Sequence, residues 1–115
     1  MIEVLWEIAV NDAARARFEL IFGPGGAWSK LAAASGGFRG TTLLCDAAAP
    51  QRYLVIEVWD EETDRAEMEA AHPGELAALE AAFAECGASR RRLGVFTLRS
   101  QAAVRPLGRK RGGRG

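Results

Sequence analysis

Three side chains of different chemistry share one side of a single predicted strand. Residues alternate in the segment 52–59 (RYLVIEVW), so that Tyr53, Glu57 and Trp59 lie on the same face. A hydroxyl, a carboxylate and an indole in a row are typical of an apolar pocket with polar ends. The pattern also fits a sheet face half exposed to water, or a face whose charges pair with neighbouring arginines. The trio is the first candidate site.

Two further residues are candidates for acid–base chemistry. His72 is the only histidine of the chain, and histidine has an ordinary pKa near neutrality. It is either a general base or an exposed residue at a helix end. Glu7 and Glu57 both lie in the middle of strands expected to pair. If the two carboxylates approach each other, the pKa of one of them is raised, which would make it a base. A solvated or arginine-paired carboxylate is the alternative.

Length and composition place the chain among single-domain globular proteins. It has 115 residues, of which 49% are hydrophobic and 26% charged, and no apolar run long enough to span a bilayer. Acidic residues near the start, where a signal peptide would carry basic ones, favour a cytoplasmic location.

Cys45 and Cys86 are far apart in sequence, so we expect two reduced thiols rather than a zinc site or a disulfide scaffold.

The net charge of zero hides a division of the chain into two parts. From residue 99 onward there are six basic residues and no acid: Arg99, Arg105, Arg109, Lys110, Arg111 and Arg114. We therefore expect a domain at 1–98 and a disordered Gly/Arg-rich tail at 99–115. The tail lacks aromatic side chains for base stacking, which favours a solvated extension over a nucleic-acid-binding arm.

Periodicity predicts the order β-α-β-β-α-β. The predicted strands are 2–10, 38–45, 52–59 and 92–98. The first helix follows Asn11 and Asp12 and is interrupted by the GPGG segment at 23–26. The second starts at Thr63 or Asp64, is interrupted at 72–74 and ends at Gly87. This order indicates an α+β, ferredoxin-like fold with two helices on one face of a four-stranded antiparallel sheet.

Several strands carry apolar residues on both faces. Leu54 and Ile56, for example, lie opposite Val55 and Trp59. Because two interrupted helices cover only one face, we expect a second copy of the chain to cover the other, which makes the protein a homodimer.

Three segments together resemble the antibiotic biosynthesis monooxygenase family of dimeric α/β barrels. They are FGPGGAW at 22–28, FRGTTLLCD at 38–46 and RYLVIEVWDEE at 52–62, and the resemblance covers roughly residues 2–98. It implies oxygenation, without metal or flavin, of a small aromatic substrate such as a phenol, an anthrone or a polyketide. It also implies that the deprotonated substrate passes an electron to O₂ directly.

If the protein is such an enzyme, the candidate residues take the following roles. His72 or Glu57 would be the base, and Tyr53 a hydrogen-bond donor. Trp59, Trp28 and Phe22 would be walls of the substrate pocket, for which the GPGG turn could serve as a lid.

Two alternatives stay open. One is a non-catalytic module on the same fold that binds a small ligand or a partner. The other is a haem-degrading monooxygenase, the one case in which haem would be a cofactor. The haem branch carries a Trp and a His on the second helix, where this chain has Glu67 and Ala77. In the aromatic-oxygenating branch, an Asn lies on the third strand where this chain has Val55.

Overall fold

The computed structural model of the chain describes residues 1–108. Its strands are β1 (Ile2–Ala9), β2 (Phe38–Cys45), β3 (Arg52–Trp59) and β4 (Ser89–Thr97). Its helices are α1 (Arg15–Phe22), α2 (Ala27–Ala32), α3 (Glu62–Ala71) and α4 (Pro73–Glu85), with a 3₁₀ turn at Asp12–Ala14.

The strands form one antiparallel sheet in the order β2-β3-β1-β4. This is the ferredoxin-like arrangement that the order of elements predicts, and the predicted fold class is confirmed. The two central strands pair so that Val4 lies opposite Glu57. The middle of the third strand therefore lies beside the middle of the first, under the helices.

Each predicted helix is divided in two at the expected place. Gly23 ends α1 and Gly26 precedes α2, and a Cβ at Gly26 would collide with the carbonyl oxygens of α1. Pro73 has no N–H and begins α4 directly after His72. The start predicted for the second helix, Thr63 or Asp64, is slightly late. The carboxylate of Asp64 accepts a hydrogen bond from the backbone N–H of Glu61 at 3.0 Å, which places the cap at Glu61.

The helices pack on one face of the sheet in two adjoining clusters. One is centred on Phe18 of α1, which contacts Tyr53 of β3 and Phe83 of α4. The other joins Trp59 to Met68 of α3 and to α2. Phe18 and Trp59 are fully buried. These contacts fix the helices over the helix-facing side chains of β1 and β3.

The opposite face of the sheet, which we call the outer face, is uncovered in the single chain. Leu44 and Phe96 are 46% and 51% exposed, and Leu54 and Ile56 between them are partly exposed. This apolar surface is the one for which the sequence predicts a second copy.

Strand β4 begins at Ser89, three residues earlier than predicted. Its first half carries Arg90, Arg91 and Arg92, which hide the alternation on which the prediction depends. A bulge follows: Arg92 pairs with Trp6 and Gly94 with Leu5, so that Leu93 is an extra residue. Arg90 and Arg92 consequently face the helices, whereas Arg91 faces outward.

Residues 99–108 form neither helix nor strand and are exposed. Residues 109–115, the rest of the predicted disordered tail, lie outside the described residues. Within residues 1–108, the helices are too short and too polar to cross a membrane.

Candidate functional site

A cavity of about 130 Å³ lies between the sheet and helices α1, α2, α3 and α4. Much of its wall is apolar, with Phe22 and Trp28 on one side, Val55 on the sheet, and Leu79 and Phe83 on α4. Phe22 packs edge-on against Phe83, with the ring centres 5.5 Å apart. Aromatic and aliphatic walls of this kind suit an apolar or aromatic ligand.

Glu57 supplies a carboxylate to the cavity wall. Its side chain is 3% exposed, and its Oε1 accepts hydrogen bonds from Trp59 Nε1 at 3.0 Å and from Arg65 Nε at 2.7 Å. Oε2 has one contact in the described chain, with Arg65 Nη2 at 3.4 Å. One oxygen is therefore held firmly, and the other keeps acceptor capacity for a ligand hydroxyl.

Arg65 balances the charge of Glu57. It reaches from α3 to the cavity, and its Nη1 also donates to Glu69 Oε1 at 2.8 Å. Burial by itself lowers the pKa of Arg65, but the hydrogen bond and the charge of Glu57 outweigh it and raise the pKa overall. The guanidinium therefore stays charged, and it holds the side chain of Glu57 in place through its hydrogen bonds.

Trp6 forms the sheet side of the cavity and is surrounded by guanidinium groups. Those of Arg65, Arg90 and Arg92 lie 5.4, 5.8 and 5.9 Å from the centre of its ring. Its indole nitrogen is buried and has no hydrogen-bond partner in the described chain. A buried donor that has no hydrogen-bond partner lowers the free energy of unfolding by about 1–3 kcal/mol.

Of the residues predicted for the site, Phe22, Trp28 and Glu57 line the cavity. Trp59 is not among the lining residues: it lies behind Glu57 and holds its carboxylate. Tyr53 also lies away from the cavity and donates its hydroxyl to Glu19 Oε2 at 2.6 Å. Burial raises the pKa of Tyr53, and the hydrogen bond to Glu19 adds to the rise.

The predicted trio of Tyr53, Glu57 and Trp59 does share one face of β3. All three side chains are buried, at 1%, 3% and 0% exposed, so the alternative of a face half exposed to water is wrong. Their partners differ, however, and Glu57 is the one member that lines the cavity.

His72 lies in a different place. It lines a surface groove between α3 and the segment 34–37, and its Nδ1 is 2.7 Å from Glu75 Oε2. The structure therefore separates His72 from Glu57 and from the aromatic walls of the cavity.

The predicted approach of Glu7 to Glu57 is wrong. Glu7 lies opposite Leu54 and faces outward, because the register places Val4, and not Glu7, beside Glu57. Its carboxylate accepts hydrogen bonds from Arg52 at 2.8 Å and from Arg91 at 3.0 Å. These two guanidinium groups lower the pKa of Glu7, the opposite of the shift that a neighbouring carboxylate would cause.

Sequence reasoning did not single out several polar or large residues of the cavity: Trp6, Arg65, Glu80 and Arg90. Trp6 could have been found, since it shares a face with Val4 and Ile8. Arg65 carries no signal by itself, because it stands in an acidic run at the start of a helix. Only the packing of α3 against β3 brings it to Glu57.

Comparison with solved structures finds close similarity in fold. SnoaB, a cofactor-independent oxygenase from Streptomyces nogalater, is 25% identical, with 87% of this chain and 94% of that chain covered and a TM-score of 0.70. The "Putative antibiotic biosynthesis monooxygenase from Nitrosomonas europaea" is 13% identical, with coverage of 84% and 97% and a TM-score of 0.61. A protein of the same description from Deinococcus radiodurans is 16% identical, with coverage of 94% and 100% and a TM-score of 0.59.

No family model and no curated protein matches the sequence. The likeness therefore rests on the arrangement of strands and helices, over most of this chain and nearly all of the compared ones. The resemblance indicated by the sequence is confirmed: this chain has the fold of the antibiotic biosynthesis monooxygenases.

Proposed function

We propose that the chain is a cofactor-independent monooxygenase that binds a small aromatic substrate in the cavity, with Glu57 as the base. One observation carries the proposal. A buried carboxylate lies on the wall of an aromatic cavity with one oxygen fixed by Trp59 and Arg65 and the other short of donors. SnoaB, whose fold is similar, is a cofactor-independent oxygenase.

The reaction assigns a defined task to each group. Glu57 Oε2 accepts a proton from the substrate, and the resulting carbanion or phenolate passes an electron to O₂. For a methylene flanked by aromatic rings, CH₂ and O₂ become C=O and H₂O, so that the substrate supplies all the electrons. Arg65 and Trp59 hold the carboxylate in position, and the aromatic walls exclude water from the anion.

The placement of the other candidates narrows the choice of base. His72 lies in a separate groove, and Tyr53 is engaged with Glu19 in the core. We therefore assign the base to Glu57 rather than His72, and assign Tyr53 to packing. Phe22 and Trp28 keep their proposed role as walls.

We also propose that two copies associate through the outer face. Its centre is apolar and partly exposed, with Leu44, Leu54, Ile56 and Phe96 as its main residues. Covering this surface would remove the apolar area from water. A cytoplasmic location stays a prediction from the sequence.

A non-catalytic binding module is the second candidate, and one observation favours it. Every acid on the cavity wall already pairs with an arginine: Glu57 and Glu69 with Arg65, and Glu80 with Arg90. Carboxylates engaged in this way can fix the shape and charge of a binding cavity without any proton transfer. For the haem alternative, the chain's single histidine lies outside the cavity.

Oxygen consumption separates the first two candidates. We would add 1,5-dihydroxynaphthalene or 1,8-dihydroxyanthrone to the full chain in chelator-treated buffer, with heat-treated protein as the control for spontaneous oxidation. The proposal predicts one O₂ consumed per ketone formed, with one atom of ¹⁸O₂ in the product. Binding of these compounds without oxygen uptake would favour the binding module. Absence of both would contradict the assignment of the cavity as a ligand site.

A further inference from the structure

We propose that Trp6 selects the ligand by donating a hydrogen bond from its indole Nε1 to an uncharged acceptor oxygen such as a ketone. The inference rests on the proposed function only in that the cavity binds a ligand. It concerns recognition and requires no turnover.

The first support is the unused donor. Three buried polar side-chain atoms lack a hydrogen-bond partner in residues 1–108, on Trp6, Arg15 and Thr41. Of these residues, Trp6 alone lines the cavity. An indole nitrogen donates one hydrogen bond and accepts none, so that only an acceptor can satisfy it.

The second support is that none of the three carboxylates of the cavity wall accepts a hydrogen bond from this nitrogen. The carboxylates of Glu57, Glu69 and Glu80 are engaged by Arg65 and Arg90. A ligand oxygen is then the natural partner of the indole N–H.

The charge of the cavity wall indicates that this oxygen is neutral. The lining includes three acids, Glu57, Glu69 and Glu80, and two bases, Arg65 and Arg90, which leaves one net negative charge. The third guanidinium near Trp6, that of Arg92, is paired with Glu62 and adds no net charge. A carboxylate on the ligand would add a second negative charge, whereas a ketone accepts a hydrogen bond without it. Trp6 also lies on the central strand, where its neighbours in the sheet fix its backbone on both sides.

The ligand must displace a neighbouring group to reach the nitrogen, because the atom is buried. Arg90 is one such neighbour, and its movement would also give up its contact with the ring of Phe83 at 4.7 Å. Its guanidinium lies 5.8 Å from the centre of the Trp6 ring, and its ion pair with Glu80 joins two exposed side chains. Exposed pairs of this kind contribute little to stability.

A matched set of inert probes tests the inference. Indane and 1-indanone share one skeleton and differ by a CH₂ replaced by C=O, and indane-1-carboxylate adds a charge. Dissociation constants would be measured by ligand-observed NMR for the native chain, W6F and W28F. Trp28 is the control, because it also lines the cavity but its indole nitrogen is not one of the unpaired buried atoms.

The measured quantity is the ratio of the dissociation constants of 1-indanone and indane. We expect the dissociation constant of 1-indanone, relative to that of indane, to be about five- to tenfold higher in W6F than in the native chain. This change corresponds to the loss of one net hydrogen bond. W28F should leave the ratio unchanged, and indane-1-carboxylate should bind the native chain more weakly than 1-indanone. An unchanged ratio in W6F, or tighter binding of the carboxylate, would overturn the inference.

A second measurement uses the native chain alone, in case W6F folds poorly. The indole N–H resonance of Trp6, assigned by triple-resonance NMR, should move downfield with 1-indanone and stay in place with indane. A resonance that responds equally to both probes would contradict the inference. Because neither experiment involves oxygen, absence of oxygen uptake would contradict the proposed monooxygenase but not the role of Trp6.

Discussion

Both faces of the sheet carry a glutamate bound by arginine, but the pair on one face is buried and the pair on the other is exposed. On the helix-facing side, Glu57 is 3% exposed and bound by Arg65 and Trp59. On the outer face, Glu7 is bound by Arg52 and Arg91, at a surface where the arginine side chains are about half exposed or more.

The comparison shows that burial decides what a glutamate–arginine pair can do. Water screens the charges of the outer pair, so the loss of one partner there changes the stability of the fold little. The inner pair is largely removed from water, where a charge without its partner is costly. The inner face can therefore hold a defined carboxylate at a ligand cavity, while the outer pair contributes to surface charge.

The largest expected effect is on catalysis. E57Q keeps the shape of the side chain but removes the proposed proton acceptor, and we expect the initial rate of oxygen uptake to fall by about 100-fold or more. The matched change E7Q on the outer face should leave the rate unchanged. Equal rates for E57Q and the native chain would exclude Glu57 as the base.

The second effect is on stability. R65M leaves Glu57 buried with Trp59 as its remaining partner, and we expect the free energy of unfolding at pH 7 to fall by about 3 kcal/mol. Urea denaturation followed by circular dichroism measures it, and R91M on the outer face should have a much smaller effect. Adding E57Q to R65M should restore part of the loss, because the unpaired charge is then gone. If R65M and R91M cost the same, the difference between the faces is not one of burial.

The third effect concerns the apolar part of the outer face. I56K places a charge at its centre, and we expect the dissociation constant of the proposed homodimer to rise by at least about tenfold. Light scattering coupled to size exclusion should give twice the 12.4 kDa mass of one chain for the native protein, and a smaller value for the variant. A native protein of 12.4 kDa at micromolar concentration would contradict the homodimer.

The smallest effect is the pH dependence of stability that Glu7 contributes. Arg52 and Arg91 lower the pKa of Glu7 in the folded chain below its ordinary value near 4.5. The carboxylate therefore stabilises the fold above that value, and the contribution is lost as the pH falls through the lower, folded pKa. Between pH 5 and pH 3, E7Q should lose less stability than the native chain. Parallel curves for the two proteins would show that the pairs with Arg52 and Arg91 are not formed in solution.

The fold could be predicted from the sequence because alternation in β1 and β3 and the breaks at 23–26 and at Pro73 are local signals. The face shared by Tyr53, Glu57 and Trp59 follows from the same alternation. Glu7 was misplaced because its distance from Glu57 depends on how two strands register, which no local pattern gives. Arg65 and Trp6 were missed for a similar reason: their importance arises from helix-to-sheet packing and from a hydrogen bond that is not made.

The single extra residue at Leu93 determines which arginines meet the ligand cavity. If the pairing of β4 with β1 ran on from Gly94 without a bulge, so that Leu93 lay opposite Trp6, Arg92 would lie beside Glu7, and Arg91 would face inward in place of Arg90 and Arg92. The position of the bulge thus decides which of three consecutive arginines face the cavity, and a shift of the pairing by one residue there would exchange the electrostatics of the two sides of the sheet without altering any charged residue.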